Sequence, residues 1–218
     1  MLRHILATIL NPRGKSAFLF RHQSSRHVLD IGCGNNSVLR VKSIISSCSY
    51  TGVDIDNYNL DASALDLIDH YINSTPSNFA SDIQRLPQLY DCILCSHNLE
   101  HCNSPYDVVV AMGQRCAPGG HIYISYPSPL SLVLPSRTGV LNYYDDGTHQ
   151  FLPPDSARVI DALQSTGEYT IRLNLLNRPS ILFFLGFLLE PLSSSLRRNF
   201  LGTWYYKGFE TTIQARKK

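Results

Sequence analysis

The sequence has little charge and almost no net charge. Charged residues make up 17% of the 218, and the formal net charge is +2 with the eight histidines counted neutral. Nucleic-acid surfaces need Lys and Arg clustered along a groove. Here the basic residues are scattered, apart from Arg197-Arg198 and the tail Arg216-Lys217-Lys218, so no nucleic-acid partner is expected. No apolar run approaches the roughly 20 residues that a membrane-spanning helix requires. The strongest, 181–189, stops well short, and no small-residue cleavage site follows the short apolar stretch at the start. The six cysteines lack the spacing of a secreted disulfide scaffold. Most lie inside apolar runs, where a free Cys behaves as a small buried hydrophobe. These absences leave a chain of a reducing, cytoplasmic setting as the expectation, with contact at a membrane surface left open.

What is present is the material for one core. Hydrophobic residues reach 44%, and the length suits one substantial α/β domain. Short apolar runs alternate with amphipathic stretches. The pattern predicts strands at 27–31, 50–54, 78–81, 90–95 and 122–126. Helices are predicted at 37–47, 60–72 and 105–116, the last followed by a sharp turn at Pro118-Gly119-Gly120. Such alternation argues for βαβ units and a parallel sheet. Beyond it come a proline-marked loop, a helix to about 165, and strands at 169–175 and 208–215. The stretch 177–206 between those strands is too long for a hairpin loop and reads as inserted helical structure. The organisation expected is a helical arm (1–26) followed by one domain (27–218) carrying an apolar helical insertion at about 178–202.

The chemistry concentrates at strand ends. Val28-Leu29-Asp30-Ile31-Gly32-Cys33-Gly34-Asn35-Asn36-Ser37 runs a buried strand into a glycine turn and then a helix, where backbone can approach a ligand closely. Ser37 stands where the dinucleotide pattern G-x-G-x-x-G has its third glycine, so a small ligand without a pyrophosphate is favoured over NAD. Asp54, closing the second strand in Gly52-Val53-Asp54-Ile55-Asp56, is placed to accept from both ribose hydroxyls. Asp82 can accept from an adenine amino group while Ile83 packs on the ring. An exposed turn or capping aspartate is the plainer reading of either acid.

Read together and in order, Val-Leu-Asp-Ile-Gly-Cys-Gly, Thr-Gly-Val-Asp-Ile, Ser-Asp-Ile, Tyr-Asp-Cys-Ile-Leu-Cys-Ser-His-Asn-Leu-Glu-His and Ala-Pro-Gly-Gly-His-Ile resemble the successive motifs of class I S-adenosylmethionine-dependent methyltransferases, in their broad small-molecule branch. The resemblance covers about 26–126 firmly and the rest loosely. It implies a Rossmann-like, seven-stranded, mostly parallel α/β sheet with helices on both faces and a C-terminal antiparallel strand. It implies S-adenosyl-L-methionine as cofactor, with Asp30, Gly32 and Gly34 at its methionine part and Asp54 at the ribose. Ile55 would pack on adenine, Asp82 and Ile83 would flank it, and Ser96 or His97 would line the floor beneath. The chain departs from the family at Asn35-Asn36, where a third glycine is frequent.

The sulfonium is already activated, so the protein must mainly align an acceptor behind the methyl group. A base helps where a hydroxyl must lose its proton. His149, in Tyr143-Tyr144-Asp145-Asp146-Gly147-Thr148-His149, or His101 is the candidate base, with Tyr144 shaping the acceptor pocket. A loop-anchoring role for His149 is the alternative. A metal site built on Cys92, Cys95, His97 and His101 is not expected. The odd spacing of the two cysteines puts them on opposite strand faces, and His-Asn-Leu-Glu-His is not H-E-x-x-H. The acceptor is expected to be a small molecule, a glycan or a lipid-linked precursor. A non-catalytic module that binds S-adenosylmethionine and acts through protein contacts is the competing reading. For the apolar stretch 180–200 three readings stand: core or substrate lid, homodimer contact, or a helix dipping into a bilayer between Arg178 and Arg197-Arg198.

Overall fold

The computed structural model describes residues 2–149 and 151–218. Met1, at the head of the expected arm, lies outside them. Two helices, α1 (Leu2–Leu10) and α2 (Lys15–Arg21), precede β1 (His27–Ile31). Strands and helices then alternate through α3 (Ser37–Ile44), β2 (Ser49–Asp54), α4 (Ala62–Leu65), β3 (His70–Asn73), α5 (Phe79–Gln84), β4 (Tyr90–Ser96), α6 (Pro105–Arg115) and β5 (Cys116–Pro127). The chain closes with α7 (Ser156–Gln164), β6 (Tyr169–Asn174), α8 (Ser180–Ser195), α9 (Thr203–Lys207) and β7 (Glu210–Lys217).

The seven strands form one sheet in the order β3-β2-β1-β4-β5-β7-β6. β1 to β5 run parallel, and β7 lies antiparallel between β5 and β6. This is the Rossmann-like arrangement expected. Burial on both faces explains why the inner strands read as unbroken apolar runs. On one face Leu29, Ile31, Ile93, Cys95, Ile122 and Ile124 pack beneath α5, α6 and α7. On the other, Val28, Cys92, Leu94 and Tyr123 meet Phe18 and Leu19 of α2 and Val38 and Val41 of α3. The second arm helix is therefore part of the core.

One strand had to be relocated. Residues 78–81 were expected to be the third strand, but they open helix α5, and the third strand is His70–Asn73, inside the stretch expected to be helical. The apolar spacing of 60–72 mimics a helix, yet only Ala62–Leu65 completes a turn. Asp69 stops it by accepting from the Tyr50 amide (2.7 Å) and the Lys42 ammonium (2.8 Å), which sets the next residues alongside β2. Pairing with a neighbour outweighed local periodicity.

The 178–202 region is helical. α8 buries Leu182, Gly186 and Ser193 against α9 and the loop after β5, while Ile181, Phe184, Phe187, Leu188 and Leu192 remain exposed. Arg137 from that loop, 6% exposed, grips Glu190 of α8 through both terminal nitrogens (2.8 and 3.0 Å). The Trp204 indole donates to the Val140 carbonyl (2.7 Å). No helix among the described residues is long and apolar enough to cross a membrane.

Candidate active site at the carboxyl edge of the sheet

Strand order reverses between β1 and β4, and the crevice outside such a switch point is where open α/β sheets bind ligands. Two segments meet there: the turn Gly32–Asn36 after β1 and the stretch from Ser96 to His101 after β4. Gly32 has φ +70, and a Cβ on it would press into the Asn98 side chain, with Asn98 Cβ only 2.6 Å away. Asn35 and Asn36 have φ +52 and +53. Asparagine tolerates this left-handed region better than other side chains, which accounts for two asparagines where a glycine is frequent. Their side chains latch the turn to the loop after β2. Asn59 donates to Asn35 (2.7 Å), and Asn36 pairs with Asp61 (2.8 Å).

Asp30 is held from within the fold. Its carboxylate is fully buried and receives the Ser37 hydroxyl (2.5 Å), the Tyr50 hydroxyl (2.8 Å) and the Lys15 ammonium (3.2 Å). It braces the turn through Ser37, the first residue of α3. Lys15 also donates to Ser37 (2.7 Å). No motif in the sequence pointed to it, because it comes from the arm ahead of the first strand. Asp54 accepts from the Gly34 amide (2.9 Å) and the Ile55 amide (2.8 Å). Burial raises its pKa, opposed by those two amides. Each carboxylate oxygen has two acceptor sites, so capacity for hydroxyls remains. Ile55 is half exposed beside it.

The adenine-side expectations divide. Asp82 lies within helix α5 and accepts from the hydroxyl of Ser74 (2.7 Å), the residue that follows β3. Ile83 is fully buried in the main core, where it holds α5 to the sheet. A cavity of about 440 Å³ lies between α5 and α6, lined by Phe79, Ala80, Gln84, Cys102, Asp107 and Ala111.

On the β4 side, the Ser96 hydroxyl pairs with that of Ser125 (2.9 Å) at the strand ends. His97, at φ +51, stands between Glu100 (3.2 Å) and Glu210 (3.1 Å). Burial would lower its pKa, but hydrogen bonds to both carboxylates override this and raise it to about 10. His97 is therefore a cation locked in an ion-pair network. Glu210 was invisible to motif reading, since it arrives on the last strand, 113 residues away. His101 and His149 come within 4.9 Å of each other, ring centre to ring centre. His149 bonds the Tyr143 carbonyl (2.6 Å) through Nδ1 and stacks on the Tyr143 ring. His101 reaches Thr148 through its own Nδ1 (3.2 Å to the carbonyl). Tyr144 stands exposed on the same loop. Cys92 and Cys95 point into the two opposite core clusters, apart from these histidines.

Next to this loop an apolar cleft of about 1350 Å³ opens between Tyr106, Pro129, Leu132, Phe151, Leu152 and Leu175. The site thus combines a glycine turn, an acid at the end of β2 and a histidine cluster from the loops after β4 and β5.

A family model described as a methyltransferase domain matches residues 2–169. The ubiquinone biosynthesis O-methyltransferase of Yersinia pestis (strain Pestoides F) is 33% identical over 105 residues, covering 46% of this chain and 42% of that protein. The chain thus spans less than half the length of the curated relatives it matches. Among solved structures, a SAM-dependent methyltransferase from Archaeoglobus fulgidus aligns with TM-score 0.54 and 20% identity, covering 92% of both chains. The N-methyltransferase NodS from Bradyrhizobium japonicum WM9, solved with S-adenosyl-L-homocysteine, aligns with TM-score 0.52 and 13% identity over 92% of this chain and 84% of that one. With three-quarters of its length matched by the family model, the chain belongs to the S-adenosylmethionine-dependent methyltransferases.

Proposed function

We propose that this chain transfers the methyl group of S-adenosylmethionine to a small-molecule acceptor with an apolar body. The observation that carries the reading is the pairing, across one switch point, of the Gly32–Gly34 turn and Asp54 with two histidines. The turn and Lys15 suit the charged methionine end, Asp54 the ribose, and Ile55 one face of the adenine. Asp82 is close enough to the end of β3 to serve the far edge of the base. The apolar cleft beside Phe151 and Leu132 suits the acceptor, and Tyr144 stands where it can fold over such a ligand. Proton removal falls to His149 and His101, because His97 is already charged.

Calorimetry with S-adenosylhomocysteine tests the first half. Saturable binding to the native chain, weakened in Asp54→Ala, supports the reading, and no saturable binding removes it. The competing reading, a non-catalytic binding module, draws on the way the loop after β2 closes over Asn35, whose amide is already bonded to the Tyr58 carbonyl (2.9 Å). Cofactor binding without transfer to any acceptor in a methyl-transfer screen would favour it.

The exposed apolar residues of α8 lie beside α1, where Leu6 and Ile9 are also exposed. Such a contiguous apolar face exceeds what scattered surface residues provide. Its one acid, Glu190, is neutralised by Arg137 and Lys207, while Arg178, Arg197 and Arg198 stand exposed around it. We read it as a peripheral contact with an anionic lipid surface. Sedimentation with phosphatidylglycerol vesicles should carry the native chain down and leave a Phe184→Ser/Phe187→Ser/Leu188→Ser variant in solution. A native chain that stays in solution, or one that dimerises through this face, overturns it.

A further inference from the structure

Glu100, His101 and His149 each place one potential ligand atom within 4.8 Å of the others. Glu100 is 2% exposed, and its Oε2 has no hydrogen-bond partner among the described residues. A buried acceptor left unpaired costs about 1–3 kcal/mol, and more when it is charged. Native proteins seldom keep one without a reason.

The histidines supply that reason. His149 donates its Nδ1–H to the Tyr143 carbonyl (2.6 Å), and its ring is held by stacking on Tyr143 at 4.1 Å. His101 donates its Nδ1–H toward the Thr148 carbonyl (3.2 Å) and Thr148 Oγ1 (3.1 Å). The Thr148 hydroxyl cannot be the donor there, because its proton goes to Asp146 (2.5 Å). In both rings Nδ1 is thus committed as a donor, and Nε2 is the ring nitrogen left for a ligand, that of His149 lying 4.0 Å from Asp146 Oδ2. Two imidazole rings and a buried carboxylate thus converge. Hydrogen-bonding one ring nitrogen to a carbonyl is also how proteins orient histidines that ligate a metal through the other.

We propose that Glu100, His101 and His149 bind one divalent transition-metal ion, such as zinc, manganese or iron, and that the acceptor oxygen occupies a free position on it. Two imidazoles and one carboxylate suit ions of this class, and three protein ligands leave room for a further one. The inference rests on the methyl-transfer reading and narrows its acceptor to one with a hydroxyl. A hydroxyl held by the ion is more acidic. Its proton passes to water, the two histidines then serving as ligands and not as bases, and the oxygen bonds to the methyl carbon as the carbon–sulfur bond breaks. That bond's electron pair goes to sulfur, leaving a methyl ether and S-adenosylhomocysteine. The sequence pattern hid this site, since Glu100 and His101 are adjacent and their third partner lies across a long loop.

The test is direct metal uptake. The full chain, stripped with EDTA, is titrated with cobalt(II) while visible absorption is followed, and separately with zinc by calorimetry. One ion per chain is expected, with affinity about 10- to 100-fold weaker in His149→Gln and in His101→Asn. Both variants should keep native affinity for S-adenosylhomocysteine. Glu100→Gln is a further variant, and the two histidine variants suffice if it does not fold. No saturable uptake by the native chain, or equal uptake by native and variant chains, overturns the site. The methyltransferase reading survives that result as long as the native chain binds S-adenosylhomocysteine, so the two failures are distinguishable.

Discussion

On the β1–β2 side of the crevice, most groups that shape the turn come from one continuous βαβ unit, with Lys15 added from the arm and Asn59 and Asp61 from the loop after β2. Asp30, Gly34, Ser37, Tyr50 and Asp54 are bound to one another within it. On the β4 side, the groups are gathered from across the chain: Glu210 reaches His97 over 113 residues and Thr148 reaches His101 over 47. The first side is a preformed cradle whose polar atoms are largely satisfied. The second keeps an orphaned carboxylate oxygen beside two histidines. Such a division fits a fold that holds one ligand constantly and treats the other by local variation, because acceptor pockets are built from loops and insertions.

The sharpest way to break this comparison is to disable one side and measure both. His149→Gln should lower methyl transfer about 100-fold or more, with S-adenosylhomocysteine affinity unchanged in calorimetry. A parallel loss of cofactor affinity would mean that the two sides are one unit. Lys15→Met strands the buried Asp30 carboxylate. Removing one partner of such a pair costs about 3–5 kcal/mol, so the urea midpoint should fall steeply. A midpoint within experimental error of the native one would show that Lys15 does not brace the turn.

Asp54→Ala leaves the Gly34 amide without its acceptor and removes the ribose contact. Hydrogen bonds to a charged group contribute about 1.5–3 kcal/mol, so cofactor affinity should weaken about 10- to 100-fold while metal uptake stays native. The smallest effect concerns neither side. His22 stacks on His121 at 3.7 Å behind the sheet, and burial first, then His121, Arg21 and Arg216, lower its pKa from 6.5 to about 4. The unfolded chain therefore takes up this proton before the folded one does. Stability at this site is fully present above about pH 7 and declines as pH falls from 6.5 to about 4. His22→Gln should flatten that part of the denaturation profile. An unchanged profile would assign the acid sensitivity elsewhere.

How much was legible follows the same division. β1, its glycine turn and Asp54 stand in contiguous runs whose apolar pattern and punctuation are local, and they were read where they occur. Placing His70–Asn73 needed Asp69 clasping the Tyr50 amide and Lys42, contacts that periodicity does not record. Ile83 sits next to a well-placed carboxylate in sequence yet faces the core, because residues adjacent on a helix point in different directions. His149 and His101 were both singled out, but their meeting with Glu100 was not.

The sequence by itself determined the sheet's central strands, the turn that follows the first of them and the family to which the chain belongs, because each depends on burial patterns and backbone preferences within a short stretch. Only the tertiary structure decided that Asp30 is closed off beneath Lys15, that His97 is held as a cation by Glu100 and Glu210, and that one glutamate and two histidines share a space. Those outcomes depend on distances between residues far apart along the chain, and folding alone sets such distances.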